Sequence, residues 1–253
     1  VRTRMSDPNI EVRSVSGKVT LLPLEERRAK GRGLRRVLPR LSQEQYVANA
    51  YRPDPVHILE QQANGRDRDS VAMRYRQMAE SPLEFFRGSG AIMAWDLSRI
   101  LVTNLTVQLC GDAHISNFGF FGFPERVMMF EVSDFDETMT GPWEWDTKRL
   151  VTSAVLAARS IGLSSKSCLD VAHATSAHYR RKMAEYAELT PLEIWYSHVA
   201  AESLLDFLPD VRQRQPTLAK IRKARKRGRK ALLSAATNIA VEGGRESHQQ
   251  QIE

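Results

Sequence analysis

Cysteine is nearly absent from this chain. Cys110 and Cys168 are the only two, and neither belongs to a Cys-x-x-Cys pair, which argues against a disulfide framework and against a structural zinc site. Long apolar runs are missing as well. Nothing approaches the roughly eighteen consecutive apolar residues of a membrane-spanning helix, and Val1-Arg2-Thr3-Arg4-Met5 leads into charged sequence instead of the apolar core of a secretory signal. These absences predict a soluble, cytoplasmic protein with no membrane partner. Aromatic residues make up 8% of the chain, and neither of its two basic stretches interleaves them. The stacking surface that single-stranded nucleic acid uses is therefore lacking there.

What is present suffices for a buried core. The chain has 253 residues, of which 42% are hydrophobic, enough for one large domain or two small ones. Its net charge of +7 is unevenly distributed: Lys220 to Lys230 holds eight Lys or Arg and no acid, and Arg27 to Arg40 holds seven and no acid. Without those stretches the chain is net acidic. The two stretches suit RNA, anionic lipid or an acidic partner, or are simply solvated helix faces. The last reading is favoured, so nucleic acid is not the preferred partner.

Residues 1–40 are polar and basic with no sustained period, and read as a flexible basic arm. The folded part is expected to begin near Leu41, with short helices over Ser42–Ala50, Val56–Ala63 and Val71–Ala79. Ser81-Pro82-Leu83-Glu84 combines a capping serine, a first-turn proline and a capping-box glutamate, so a helix starts there. After Arg87-Gly88-Ser89-Gly90 the helical pattern resumes over Ala91–Leu97. Thr106–Cys110 and Arg126–Val132 are β-prone. From Trp143 a helix with Leu150, Val151, Ala154, Val155 and Ala158 on one face runs to about Gly162, a second covers Ser164–Tyr186, and a third starts at Thr190-Pro191-Leu192-Glu193 and continues to Leu205.

The acidic motifs lie beside the two β-prone runs. Phosphoryl transfer needs one carboxylate at the attacking hydroxyl and others on the Mg²⁺ ions that neutralise the triphosphate. Kinase catalytic loops place a metal-binding asparagine five positions after the aspartate, the interval between Asp112 and Asn117, and a downstream strand then ends in Asp-Phe-Gly. Here the corresponding strand leads into Asp134-Phe135-Asp136.

On these residues the chain resembles kinase-like phosphotransferases of the aminoglycoside and choline kinase type, whose loop reads His-Gly-Asp-x-His-x-x-Asn; Cys110 stands where they have the first histidine. Gly-Asp-Ala-His-Ile-Ser-Asn-Phe-Gly, Ser-Asp-Phe-Asp-Glu-Thr and Gly-Pro-Trp-Glu-Trp-Asp-Thr-Lys-Arg-Leu, with Phe85-Phe86-Arg87-Gly88, are more closely similar to the bacterial domain-of-unknown-function 2252 family. The resemblance is strongest from Tyr75 to Leu163. It implies an α+β, mostly helical fold like the C-terminal lobe of a kinase, with a small β-hairpin carrying the motifs. The lobe would occupy residues 41–210, followed by a basic, polar segment over 211–253.

The resemblance also assigns roles. Asp112 becomes the base or substrate-orienting acid, Asn117 and Asp134 the Mg²⁺ ligands with Asp136 in support, and Asp146 a brace for the loop backbone. His114 would be a loop or phosphate-facing group, and Arg87 a contact to the phosphates of ATP. Plainer readings stand beside these. Asp134, Asp136 and Glu137 also read as a solvated acidic turn, His114 as a satisfied loop histidine, Arg87 as a stitch between a helix end and a carboxylate, and Cys110 as an inert buried thiol.

A phosphate-covering glycine loop and its lysine are not found. Gly31-Arg32-Gly33 lacks a third glycine, and Ser16-Gly17-Lys18-Val19 lacks the upstream glycine of a P-loop. The resemblance, in whose longer members a glycine-rich segment and a lysine-bearing strand follow these motifs, implies a complementary lobe encoded downstream. Two functions follow: an ATP- and Mg²⁺-dependent transferase acting on an unknown acceptor, moving phosphate or a nucleotidyl group, or a non-catalytic module docking an acidic partner through its basic stretches.

Overall fold

The computed structural model describes residues 22–44, 51–122 and 128–208, then 210, 212, 214–219, 221–223 and 226, together with the backbone of 13–15 and 18–20. In chain order its elements are β1 (Arg13–Val15), β2 (Lys18–Thr20), α1 (Leu24–Val37), α2 (Pro55–Ala63), α3 (Arg68–Met78), α4 (Pro82–Gly88), α5 (Gly90–Leu97), β3 (Thr106–Leu109), β4 (Phe118–Gly122), β5 (Met128–Val132), β6 (Met139–Pro142), α6 (Glu144–Ser160), α7 (Ser165–Tyr186) and α8 (Pro191–Tyr196). Short 3-10 turns occupy Arg40–Gln43, Ile115–Asn117 and Ala201–Phe207. The class is α+β, with two-stranded antiparallel sheets β1-β2, β3-β6 and β4-β5. Among the described residues no helix is long and apolar enough to cross a membrane.

Two compact units result, Val1–Asn117 with Asp134–Ile194, and Phe118–Ser133 with Trp195–Glu253. The first contains the helices that frame the loop of interest. Local chemistry sets where they start: Asp54, Asp67, Ser81 and Ser164 each accept a backbone N–H of the first turn of α2, α3, α4 and α7. At α8 the capping box closes in both directions, with Glu193 Oε2 accepting from Thr190 N at 2.7 Å and Thr190 Oγ1 accepting from Glu193 N at 3.3 Å. α6 ends in a Schellman motif. Gly162, at φ +79°, donates to Arg159 O, and Leu163 N donates to Ala158 O. Leu59, Met78 and Ile92 form a small core among α2, α3 and α5, while α6 packs against α7, with Ala154 and Ala158 of α6 and Cys168 of α7 buried.

In the second unit β4 and β5 pair from Phe118↔Val132 to Gly122↔Met128. Phe130 stacks near Phe118 and tilts against Phe120, with centroids 6.1 and 5.4 Å apart. Met128, Ala201 and Ile221 make the core of this unit.

Several expectations change. The stretch read as a flexible arm contains the 14-residue α1. Its glycines obscured a helix with Glu25 and Glu26 in the first turn and Arg35 and Arg36 in the last, the arrangement a helix dipole favours. Of the helix expected over Ser42–Ala50, residues 45–50 lie outside the described residues, and Arg40–Gln43 is a 3-10 turn. The helix expected to reach Leu205 stops at Tyr196, because Phe130 N donates to Val199 O at 2.8 Å and Ala200 bridges Met129, which holds that segment extended along β5. β6 was unforeseen because Met139-Thr140-Gly141-Pro142 carries a glycine and a proline. Both are tolerated in a strand whose one partner is β3, and Gly141 leaves room for Leu109.

Candidate active site

The loop that leaves β3 is held by one face of α6. Cys110 N and Gly111 N donate to Asp146 Oδ2 and Oδ1 at 2.7 and 3.1 Å. Asp112 Oδ1 is ion-paired with Arg149 Nε, and Ile115 N donates to Ser153 Oγ at 2.9 Å. Asp146, Arg149 and Ser153 stand at i, i+3 and i+7, which is one stripe of a helix. Four loop residues are thus fixed by three side chains from a single rigid element. The turn itself requires Gly111: its φ is +88°, and a Cβ there would lie 2.0 Å from Glu137 O. His114 N then donates to Asp112 O, and Asn117 N to His114 O, which closes the loop into its 3-10 turn.

Arg149 is 2% exposed. Besides Asp112 it donates to Phe86 O at 3.0 Å and Arg87 O at 3.4 Å, and its guanidinium lies 4.4 Å from the centre of the Phe86 ring. Arg74 donates to the next carbonyl, Gly88 O, at 2.7 Å. Two guanidinium groups thereby satisfy the carbonyls at the C-terminal end of α4, where cations are favoured. Asp112 Oδ2 lies 3.3 Å from His114 Nε2. Burial alone would raise the Asp112 pKa, but the His114 hydrogen bond and the Arg149 charge outweigh it, and the carboxyl sits below its ordinary value. His114 is 6% exposed, and its Nδ1 is buried with no protein partner among the described residues.

Glu137 approaches the same guanidinium. A Cβ on Gly90 would lie 3.1 Å from Glu137 Oε2 and 3.7 Å from Arg149 Nη2, so this glycine leaves room for both. Burial, and then the charge of Asp112, push the Glu137 carboxyl up. Asp146 is also raised, by burial that its two backbone hydrogen bonds only partly offset. Burial and Asp146 together keep the Cys110 thiol protonated, although Cys110 is half-buried, not the fully buried thiol expected from the sequence.

Asn117 is 5% exposed and ties the two motifs together, its Nδ2 donating to Asp112 O and Asp134 O at 3.1 Å each. The Asp134 side chain is exposed, and its Oδ1 accepts from Asp136 N at 3.0 Å. Asp136 is exposed as well. Among the described residues no three His, Cys, Asp or Glu side chains converge into a metal-holding group. Carboxylate and amide oxygens at Asp134 and Asn117 nevertheless have the donor chemistry of a hard cation such as Mg²⁺, which uses one or two protein carboxylates and completes its shell with water and phosphate oxygens. Arg87 is not drawn into this cluster. It pairs with Glu84 one turn earlier in α4 at 2.5 Å. A shallow depression of about 490 Å³ between α6 and α7, lined by Leu150, Ala174, Thr175, His178, Tyr179 and Lys182, includes none of the loop residues.

A family model described as "Uncharacterized protein conserved in bacteria (DUF2252)" matches residues 66–252. The chain belongs to this family. No curated protein and no solved structure matches it.

In this DUF2252 chain the matched span contains the whole constellation from Arg74 to Ser153 and excludes α1. Sequence reading missed Arg74, Ser153 and, above all, Arg149. Arg149 stands inside the quoted Trp-Asp-Thr-Lys-Arg-Leu motif, yet only its neighbours Asp146 and Leu150 drew notice. A signal was available, since Asp146, Arg149 and Ser153 form a polar stripe along a helix otherwise read for its apolar face.

Proposed function

We propose that this DUF2252 chain contributes the carboxylate and metal half of a kinase-like, Mg²⁺-dependent phosphotransferase that uses ATP and an acceptor hydroxyl. The observation that carries the reading is Asp112. It is an ionised carboxylate in a loop anchored residue by residue to α6, with Asn117 linking it to the Asp134 turn. A phosphoryl transfer with a loose transition state asks little of a base and much of positioning. A carboxylate below its ordinary pKa suits that task, accepting the hydrogen bond of the acceptor hydroxyl and aiming its oxygen at phosphorus. Asp134 and Asn117, supported by Asp136, would hold Mg²⁺, which supplies neutralisation of the phosphate charge. Arg87 is exposed enough to exchange its Glu84 partner for a phosphate oxygen.

Calorimetry with ATP and Mg²⁺ tests this. Binding heat is expected from the wild type and not from Asp134→Ala, and absent heats from both would reject the assignment for this chain. A second reading also has an observation in its favour. Both oxygens of Asp112 already face a protein partner, Arg149 and His114, which is what a non-catalytic descendant would retain as a structural clasp. In that case salt-sensitive association with an acidic partner survives Asp112→Ala and vanishes when Lys220 to Lys230 are neutralised.

A further inference from the structure

Asp112 is held at both ends. Its Oδ1 pairs with Arg149 Nε and its Oδ2 lies 3.3 Å from His114 Nε2, so the oxygen that an acceptor hydroxyl needs is engaged by the protein itself. Arg149 is the firmer hold, being permanently charged and 2% exposed. Its guanidinium nevertheless has donor capacity to spare. Nε is spent on Asp112 and Nη2 on Phe86 O and Arg87 O, whereas Nη1 meets only the Met93 thioether at 3.6 Å, a weak acceptor. A second carboxylate stands beside it. The place a Gly90 Cβ would take is 3.1 Å from Glu137 Oε2, 3.7 Å from Arg149 Nη2 and 4.0 Å from Arg149 Cζ, so acid and guanidinium are neighbours across a glycine that keeps the space between them open. They are not bonded. Among the described residues no ion pair or hydrogen bond reaches the Glu137 side chain, and the residue is exposed, which leaves its carboxylate free to turn. Arg74, the other cation acting on Glu137, is occupied by Gln62 Oε1 at 3.1 Å and Gly88 O at 2.7 Å.

We propose that Glu137 is a positioning residue that takes Arg149 over from Asp112 and so frees Asp112 Oδ1 for the acceptor hydroxyl. The exchange rests on the geometry around Gly90, and its use in catalysis rests on the phosphotransferase reading. At every stage the buried guanidinium stays paired with a carboxylate, so no charge is stranded in the interior. The guanidinium also stays seated. It keeps Phe86 O and the Phe86 ring while the Glu137 side chain moves, and a methyl group at position 90 would stand in the way of that movement. The clasp that favours a non-catalytic reading of Asp112 thereby becomes the resting half of a two-position arrangement.

Urea unfolding of the full chain in a variant cycle tests this. Alone, Glu137→Gln is expected to change the folding equilibrium constant by less than about twofold, as for an exposed side chain without a partner. Asp112→Asn removes the competing charge, so Arg149 turns to Glu137, and in that background Glu137→Gln is expected to lower the constant about tenfold. Adding Arg149→Met abolishes the tenfold effect, which separates Arg149 from Arg74. An effect of Glu137→Gln that is equal with and without the Asp112 charge overturns the proposal. Asp112→Ser replaces the asparagine variant where the latter does not fold, and a chain that folds with neither also overturns it, because Arg149 then has no second carboxylate. In a chain that transfers phosphate, Glu137→Gln lowers kcat about tenfold at unchanged KM for ATP, and an unchanged kcat overturns the role given to Glu137. Coupling without ATP binding sinks the phosphotransferase reading and leaves the exchange standing; ATP binding without coupling does the reverse.

Discussion

Replacing Arg149 with methionine removes a guanidinium whose side chain is 3% exposed and leaves the Asp112 carboxylate, 21% exposed, without its cation. Phe86 O and Arg87 O lose a donor in the same step. Deleting one partner of a buried ion pair costs about 3–5 kcal/mol, most of it the cost of the charge left behind. Asp112 keeps His114 and some contact with water, which places the expected loss near the lower end, about 3 kcal/mol. Methionine fills most of the vacated volume, so the cavity contribution stays small. Against a typical total stability of about 5–15 kcal/mol such a loss is large, and urea unfolding followed by tryptophan fluorescence resolves it. Asp112→Asn in the same background removes the stranded charge. The double variant is expected to be more stable than the sum of the two single losses predicts, by about 2 kcal/mol. A loss below about 1 kcal/mol for Arg149→Met, or strictly additive single variants, refutes the claim that the pair organises the loop.

Gly111→Ala forces a Cβ to within 2.0 Å of Glu137 O at a φ of +88°. Backbone strain of about 1–2 kcal/mol plus displacement of the Glu137 segment should lower the melting temperature by well over 5 °C, and an unchanged melting temperature would show that the turn relaxes freely. Asp146→Asn changes the pH dependence. Because the folded-state pKa of Asp146 lies above its unfolded value, the native state binds the extra proton, and Asp146 loses its stabilising contribution as pH rises from about 4 through the raised pKa. The asparagine variant lacks that loss, so its stability deficit, set by one missing backbone hydrogen bond, should shrink between about pH 4 and 7; a deficit that grows over this range counts against a raised pKa.

Elements with chemical punctuation were legible in the sequence. Ser81, Ser164 and Thr190 announce their helices, and Gly162 announces an end, because each satisfies orphaned backbone groups with its own side chain or φ. What depends on a distant partner was not. α8 ends where Val199 and Ala200 are taken up by β5, and β6 is a strand through its pairing with β3. At the site, the spacing of Asp112, Asn117 and Asp134 was readable in one dimension, whereas Arg149 acquires its meaning from Phe86 and Asp112, 63 and 37 residues away. Arg87, singled out by its motif, turns instead to Glu84 within its own helix.

The dependence of the Cys110–Asn117 loop on a helix that begins some thirty residues later implies an order of assembly. α6 and α7 are joined by a four-residue connection and can meet early, since contacts between neighbouring elements carry little closure entropy. The loop has no such local support. Its left-handed glycine and its bonds to Asp146, Arg149 and Ser153 become favourable only once that helical hairpin offers a formed surface. The loop is thus cast on a template. Hydrogen exchange at Cys110, Gly111 and Ile115 should slow together, and only after α6 is protected.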